Sequence, residues 1–131
     1  PFDKGIHVYA DYRDKPASRV AEAIWFGFKP VAKGKKISKM GTLIDPTKVA
    51  SRGGRRLCAT DKGVFYESLS IQTTNAVLVA PGEPSLVNFS NLIPKDDEGV
   101  YFNLFNNTWG TNFPMWSDDD ARFDFDIITE E

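Results

Sequence analysis

The sequence predicts an all-β fold, an antiparallel β-sandwich formed by a single domain spanning residues 1–131. Short runs rich in β-branched and aromatic residues alternate with turn residues along the whole chain. No segment shows the apolar periodicity of an amphipathic helix three turns long, and 131 residues is a common size for one domain. Repeated short strands separated by turns are typical of a sandwich and argue against an α/β fold.

The first part of the chain contains two clear strand candidates. Residues 6–10 form a short apolar run that ends in the polar stretch 11–16. Residues 22–28 contain the β-rich sequence Ile-Trp-Phe-Gly-Phe and stop before Pro30. A lysine cluster follows at residues 33–36, and its charges indicate a solvated turn or a protected sheet edge, not a binding patch.

Turn residues divide the rest of the chain into further candidates. Residues 64–72 predict one longer strand. Shorter candidates lie at residues 55–60, 76–80, 86–89 and 100–105. Strict alternation in residues 121–128 predicts an inward face made of Ala121, Phe123, Phe125 and Ile127.

Composition excludes several classes of function. The formal net charge is −2, from 16 basic and 18 acidic residues mixed along the chain, so no broad positive field is available for nucleic acid. No apolar run is long enough to span a bilayer, and no signal peptide opens the sequence. We therefore expect a soluble fragment without membrane contact, and its compartment stays open.

The sequence predicts no complete catalytic or metal-binding apparatus. His7 is the only histidine and Cys58 the only cysteine, and neither has ligand-like spacing. His7 is interpreted as an ordinary strand residue and Cys58 as a buried thiol. The run 118–120 does not match a calcium loop and is interpreted as a solvated turn, with calcium binding as the alternative. Nothing in the sequence pairs two carboxyl groups as a glycosidase requires. This chain alone is therefore not expected to be an enzyme or to hold a cofactor.

The most informative segment covers residues 103–116, which contain two tryptophans, two phenylalanines and four asparagines. Gly110 and Pro114 prevent a regular strand, so a structured loop is expected. Aromatic rings cover the C–H faces of sugars and amides bind their hydroxyls, but the same residues also suit core anchoring and backbone capping. Candidates for the carbohydrate-binding or interdomain loop are Asn106, Asn107, Trp109, Asn112, Phe113 and Trp116. Candidates for polar support, or for plain surface ion pairs, are Arg19, Glu22, Arg55 and Asp118.

Residues 106–116, Asn-Asn-Thr-Trp-Gly-Thr-Asn-Phe-Pro-Met-Trp, resemble the C-terminal β-domain of poorly characterised proteins related to glycoside hydrolase family 38, the α-mannosidases. Supporting stretches follow the same order at residues 14–25, 53–55, 79–82 and 121–123, so the resemblance spans nearly the whole chain. It implies a C-terminal fragment of a larger protein whose catalytic domain is the partner. The zinc ion of such enzymes would belong to that absent domain. One departure is the stretch 57–59, where a histidine is expected in relatives.

Three functions are compatible with these residues. The first is a non-catalytic accessory β-domain of a glycoside hydrolase-like protein, which packs on the catalytic domain and shapes a carbohydrate site. The second is a stand-alone carbohydrate-binding module that uses the segment 109–116. The third, a self-contained hydrolase, requires two carboxyl groups across a cleft.

Overall fold

The computed structural model describes residues 5–48, 56–84, 95, 99–108 and 117–129. Within these residues the chain forms ten strands and no helix, which confirms the predicted all-β sandwich. The strands are β1 (Gly5–Tyr12), β2 (Ala23–Phe28), β3 (Lys36–Lys39), β4 (Thr42–Ile44), β5 (Cys58–Ala59), β6 (Gly63–Phe65), β7 (Leu69–Gln72), β8 (Leu78–Pro81), β9 (Val100–Asn106) and β10 (Ala121–Thr129).

The strands form two antiparallel sheets. The larger sheet has the order β1-β10-β7-β6-β3-β4, and the smaller has the order β2-β9-β8-β5. The longest pairing joins β1 to β10, from Gly5 opposite Ile128 to Tyr12 opposite Ala121. Because β2 and β9 are antiparallel neighbours, the start of β2 and the end of β9 lie at the same end of the sandwich.

An aromatic cluster joins the two sheets in the core. Phe26 and Phe28 from β2 and Phe102 from β9 contact Phe125 from β10, with ring centroids 5.1 to 5.3 Å apart. Phe102 and Phe125 have no exposed surface, and burial of each such ring contributes about 1.5–3 kcal/mol. Phe123 and Ile127 pack on the same core, so the inward face predicted for residues 121–128 is confirmed.

Two local predictions need correction or completion. Residues 64–72 are not one strand, because a tight turn closed by the Tyr66 N–H donating to the Leu69 carbonyl at 2.7 Å separates β6 from β7. The sequence did not indicate the β3–β4 hairpin either. Its two-residue turn places Met40 and Gly41 at φ values of 52° and 77°, as a hairpin of this length requires. The candidate strand 86–89 lies outside the described residues.

Cys58 is buried and free, as predicted. Burial raises the pKa of its thiol, and the nearby Lys39 opposes this shift only in part. A neutral thiol in an apolar setting is a packing group and not a nucleophile.

Candidate functional site

The described part of the predicted site gathers at one end of the sandwich. Glu22 directly precedes β2, and Asn106 and Asn107 lie at the end of β9. Arg19 is exposed in the loop that leads to Glu22, and Asp118 is exposed just before β10. The other candidates lie outside the described residues: Arg55, Trp109, Asn112, Phe113 and Trp116.

Asn107 joins the end of β9 to the loop before β2. Its side-chain oxygen accepts from the Glu22 N–H at 2.6 Å, and its Nδ2 donates to the carbonyls of Ser18 and Val20, each at 2.9 Å. Its own N–H donates to the Glu22 carbonyl at 3.1 Å. Asn107 is only 5% exposed. Three of the four hydrogen bonds that its side chain can form are therefore used in capping the backbone.

Lys15 ties the same loop to an aromatic surface. Its ammonium group forms an ion pair with the Glu22 carboxylate and lies 4.1 Å from the ring centroid of Phe105. Only 12% of the Lys15 side chain is exposed, which strengthens the cation–π contact. The ring of Tyr12 meets that of Phe105 edge-on at 6.1 Å, and burial raises the Tyr12 pKa against the opposing charge of Lys15.

The start of β10 is fastened to this loop as well. The Asp120 carboxylate accepts from the Asp14 N–H at 2.7 Å. Asp14 has a φ of 50°, a left-handed conformation that aspartate tolerates better than most residues. Residues 107 and 120 thus anchor both flanks of the segment 109–116 to the loop 13–22. We call this loop, with residues 103–108 and 117–120, the base.

A β-bulge shapes the end of β9. Ile24 pairs with Phe105 and Trp25 with Asn103, so Leu104 has no partner on β2. The side chain of Asn103 forms hydrogen bonds across the bulge. Its Nδ2 donates to the carbonyls of Ile24 and Phe105 at 3.3 and 3.0 Å. Asn106 in turn donates to the Asn103 side-chain oxygen at 2.7 Å. Among the described residues the buried Asn106 Oδ1 and Thr108 Oγ1 have no hydrogen-bond partner.

No family model matches the sequence, and comparison with curated proteins and with solved structures likewise returns no match. The resemblance to the family 38 C-terminal domains therefore stays a prediction.

The environment of His7 was not predicted from the sequence. Its Nδ1 lies 2.7 Å from Asp126 Oδ1 and its Nε2 lies 3.2 Å from Asp124 Oδ1, on the outer face of β1 and β10. The pKa of His7 is raised, chiefly by the hydrogen bond with Asp126, and desolvation opposes this shift. His7 lies opposite Asp126 because of the register in which β1 pairs with β10. These contacts could have been found from the sequence only by predicting that pairing.

The shifted carboxyl groups among the described residues all move in one direction. Hydrogen bonds from Ser38 and Gly41 lower the pKa of Asp61, bonds from Arg122 lower that of Asp124, and bonds from Thr47 lower that of Asp45. A glycosidase acid needs the opposite shift, since it must stay protonated until it reacts. The surroundings of these three groups therefore favour the ionised carboxylate form.

Metal and membrane features were sought in the same part of the chain. No group of three or more His, Cys, Asp or Glu among the described residues is arranged to hold a metal ion. None of those residues forms a helix with the length and apolar character needed to cross a membrane.

Proposed function

We propose that the chain is a non-catalytic accessory β-sandwich domain of a glycoside hydrolase-like protein, and that it contacts carbohydrate through the segment 109–116, which the base supports. One observation carries this proposal: Asn107 and Asp120 fasten both flanks of an aromatic, amide-rich segment to the same loop. A segment held at both flanks loses less conformational entropy when a ligand binds.

The chemistry of the segment supports a sugar as the ligand. Trp109, Phe113 and Trp116 provide ring faces for C–H groups, and Asn112 provides a donor and an acceptor for hydroxyls. Since Asn107 is consumed by backbone capping, the contacting residues are assigned to the segment itself and the capping residues to its support.

Tryptophan fluorescence of the isolated chain, titrated with mannose, mannobiose and a panel of other glycans, tests the proposal. We expect a saturable change for at least one glycan, and its loss in Trp109→Ala or Trp116→Ala. Trp25→Phe is the matched control, because Trp25 lies on β2 and not in the segment. Circular dichroism establishes that each variant folds. Carbohydrate contact at this site is refuted if no glycan changes the fluorescence. It is also refuted if both alanine variants respond to the glycan as the wild type does.

A further inference from the structure

A pocket of about 330 Å³ lies at the end of the sandwich opposite to the base. Lys29 follows the last residue of β2 and Gly99 precedes the first residue of β9, so both stand far along the strands from Glu22 and Asn107. The apolar part of the lining comes from Pro30, Val31, Ala32 and Tyr66. Lys29 and Lys33 also line the pocket, and both residues are exposed. We call it the lysine pocket.

Backbone contacts fix the walls of the lysine pocket. The Lys33 carbonyl accepts from the Glu67 N–H at 2.9 Å, next to Tyr66. The Gly99 carbonyl accepts from the Gly82 N–H and from the buried Lys35 ammonium group, both at 3.0 Å. Gly99 has a φ of 93°, and a Cβ there would lie 2.6 Å from the Phe28 carbonyl oxygen. The pocket is therefore a preformed feature of the fold.

The charged residues among those that line the pocket are both lysines, Lys29 and Lys33. Residues 29–44 contain five lysines and no acidic residue, in a chain whose net charge is −2. Lys29 and Lys33 form no ion pair with the described residues. The described acid nearest to this loop is Glu67, whose side chain packs beside Gly34. Residues 96–98, which are acidic, lie outside the described part of the chain. Two like-charged amines close together attract anions.

We propose that the lysine pocket binds a sugar ring that carries a carboxylate, of the uronic acid type. The two ammonium groups suit the carboxylate through charge-assisted hydrogen bonds. Apolar residues make up most of the lining and suit the C–H face of one ring, while the open side leaves the outer hydroxyls in water. A bare inorganic anion would leave this apolar lining unused. The inference is independent of the proposed function because the two sites lie at opposite ends.

The test is a nuclear magnetic resonance titration of the isolated chain with methyl glucuronide, methyl glucoside and sodium sulfate at low ionic strength. We expect glucuronide to bind more tightly than glucoside or sulfate and to shift the backbone amides of residues 29–34, except that of Pro30, and those of 66 and 99. The double variant Lys29→Met/Lys33→Met removes both charges and keeps most of each apolar stem. It should weaken glucuronide binding about tenfold or more, because both charge-assisted hydrogen bonds to the carboxylate are lost.

The matched control is Lys36→Met/Lys39→Met, which removes two exposed charges from the same stretch but outside the pocket. Full binding in this control and in Trp109→Ala supports the lysine pocket. An equal loss in both double variants would show a long-range charge effect and overturn the proposal. Glucoside or sulfate binding as tightly as glucuronide would overturn it too, as would a loss in Trp109→Ala alone.

Discussion

His7 joins two carboxylates of the neighbouring strand through its two ring nitrogens. Only the doubly protonated ring can donate to Asp124 and Asp126 at once, so protonation strengthens the attachment of β1 to β10. The side chain of His7 is 53% exposed, and salt will screen this contribution. His7 thus contributes to the pairing of β1 with β10.

The raised pKa of His7 sets the sign of a pH effect. A histidine whose pKa is higher in the folded state than its unfolded value of about 6.5 stabilises the fold fully below that value. The contribution is lost as the pH rises through the higher, folded value. We expect the wild type to exceed His7→Gln in unfolding midpoint at pH 5 and to lose this advantage by pH 9. Thermal denaturation across this range measures it, and a pH-independent difference would contradict the assignment.

Position 63 requires glycine for two reasons: a side chain there would clash with its neighbours, and the backbone has a positive φ. Its φ is 128°, and a Cβ would lie 2.1 Å from the Ile71 carbonyl oxygen, inside the β6–β7 pairing. Gly41 also has a positive φ, 77°, but nothing lies within 4 Å of its Cβ position.

The two glycines therefore form a matched pair for mutation. Gly41→Ala is expected to cost about 1–2 kcal/mol for the left-handed conformation alone. Gly63→Ala adds a backbone clash and is expected to cost about 4 kcal/mol or more, or to prevent folding. Urea denaturation compares the two variants. Equal losses of stability would show that the clash at residue 63 relaxes without cost.

At the scale of elements, the base depends on Asn107 more than on its neighbour. Asn107→Ala leaves the Glu22 N–H and the carbonyls of Ser18 and Val20 without their partner. Asn106 makes one described side-chain hydrogen bond, to Asn103.

We expect Asn107→Ala to lower the free energy of unfolding by about 1–3 kcal/mol, the cost of unsatisfied buried groups. Asn106→Ala should cost clearly less. Hydrogen exchange provides the local readout, because the amides of residues 18–22 should lose protection in Asn107→Ala alone. Unchanged protection there would mean that the loop is held by Lys15 and Glu22 without the amide.

The sequence predicted some elements well because their signal is local. The alternation from Ala121 to Ile128 identified β10 and its inward face, and the aromatic run before Pro30 identified β2. The β6–β7 turn escaped prediction because Tyr66-Glu67-Ser68-Leu69 contains neither glycine nor proline. The β3–β4 hairpin was missed because Met40 is an unusual residue for a left-handed turn position.

The residue types at the site were predictable from the sequence, but the role of each residue was not. Asparagines near Trp109 indicated either sugar contact or capping, and only the bonds from Asn107 to Ser18 and Val20 assign it to capping. Those contacts span more than 80 residues of sequence. Lys15 was not singled out at all, since its pairing with Glu22 and its contact with Phe105 depend on the tertiary fold.

At the scale of the whole molecule, the sandwich separates two candidate surfaces. The base and the aromatic segment occupy the end where β9 stops, and the lysine pocket occupies the end where β9 begins. The aromatic core of Phe26, Phe28, Phe102 and Phe125 lies between them and holds the sheets at a fixed spacing. Each surface can therefore be altered by mutation without disturbing the other.

The central claim is that neutral carbohydrate is contacted by the segment 109–116 next to the base, and chemical-shift mapping with the tightest-binding neutral glycan of the panel tests it most directly. The account predicts that the perturbed amides of the described chain cluster in residues 13–22, 103–108 and 117–120, with little change at residues 29–33. Perturbations confined to the outer faces of the sheets or to the lysine pocket, or no perturbation by any glycan, would contradict it.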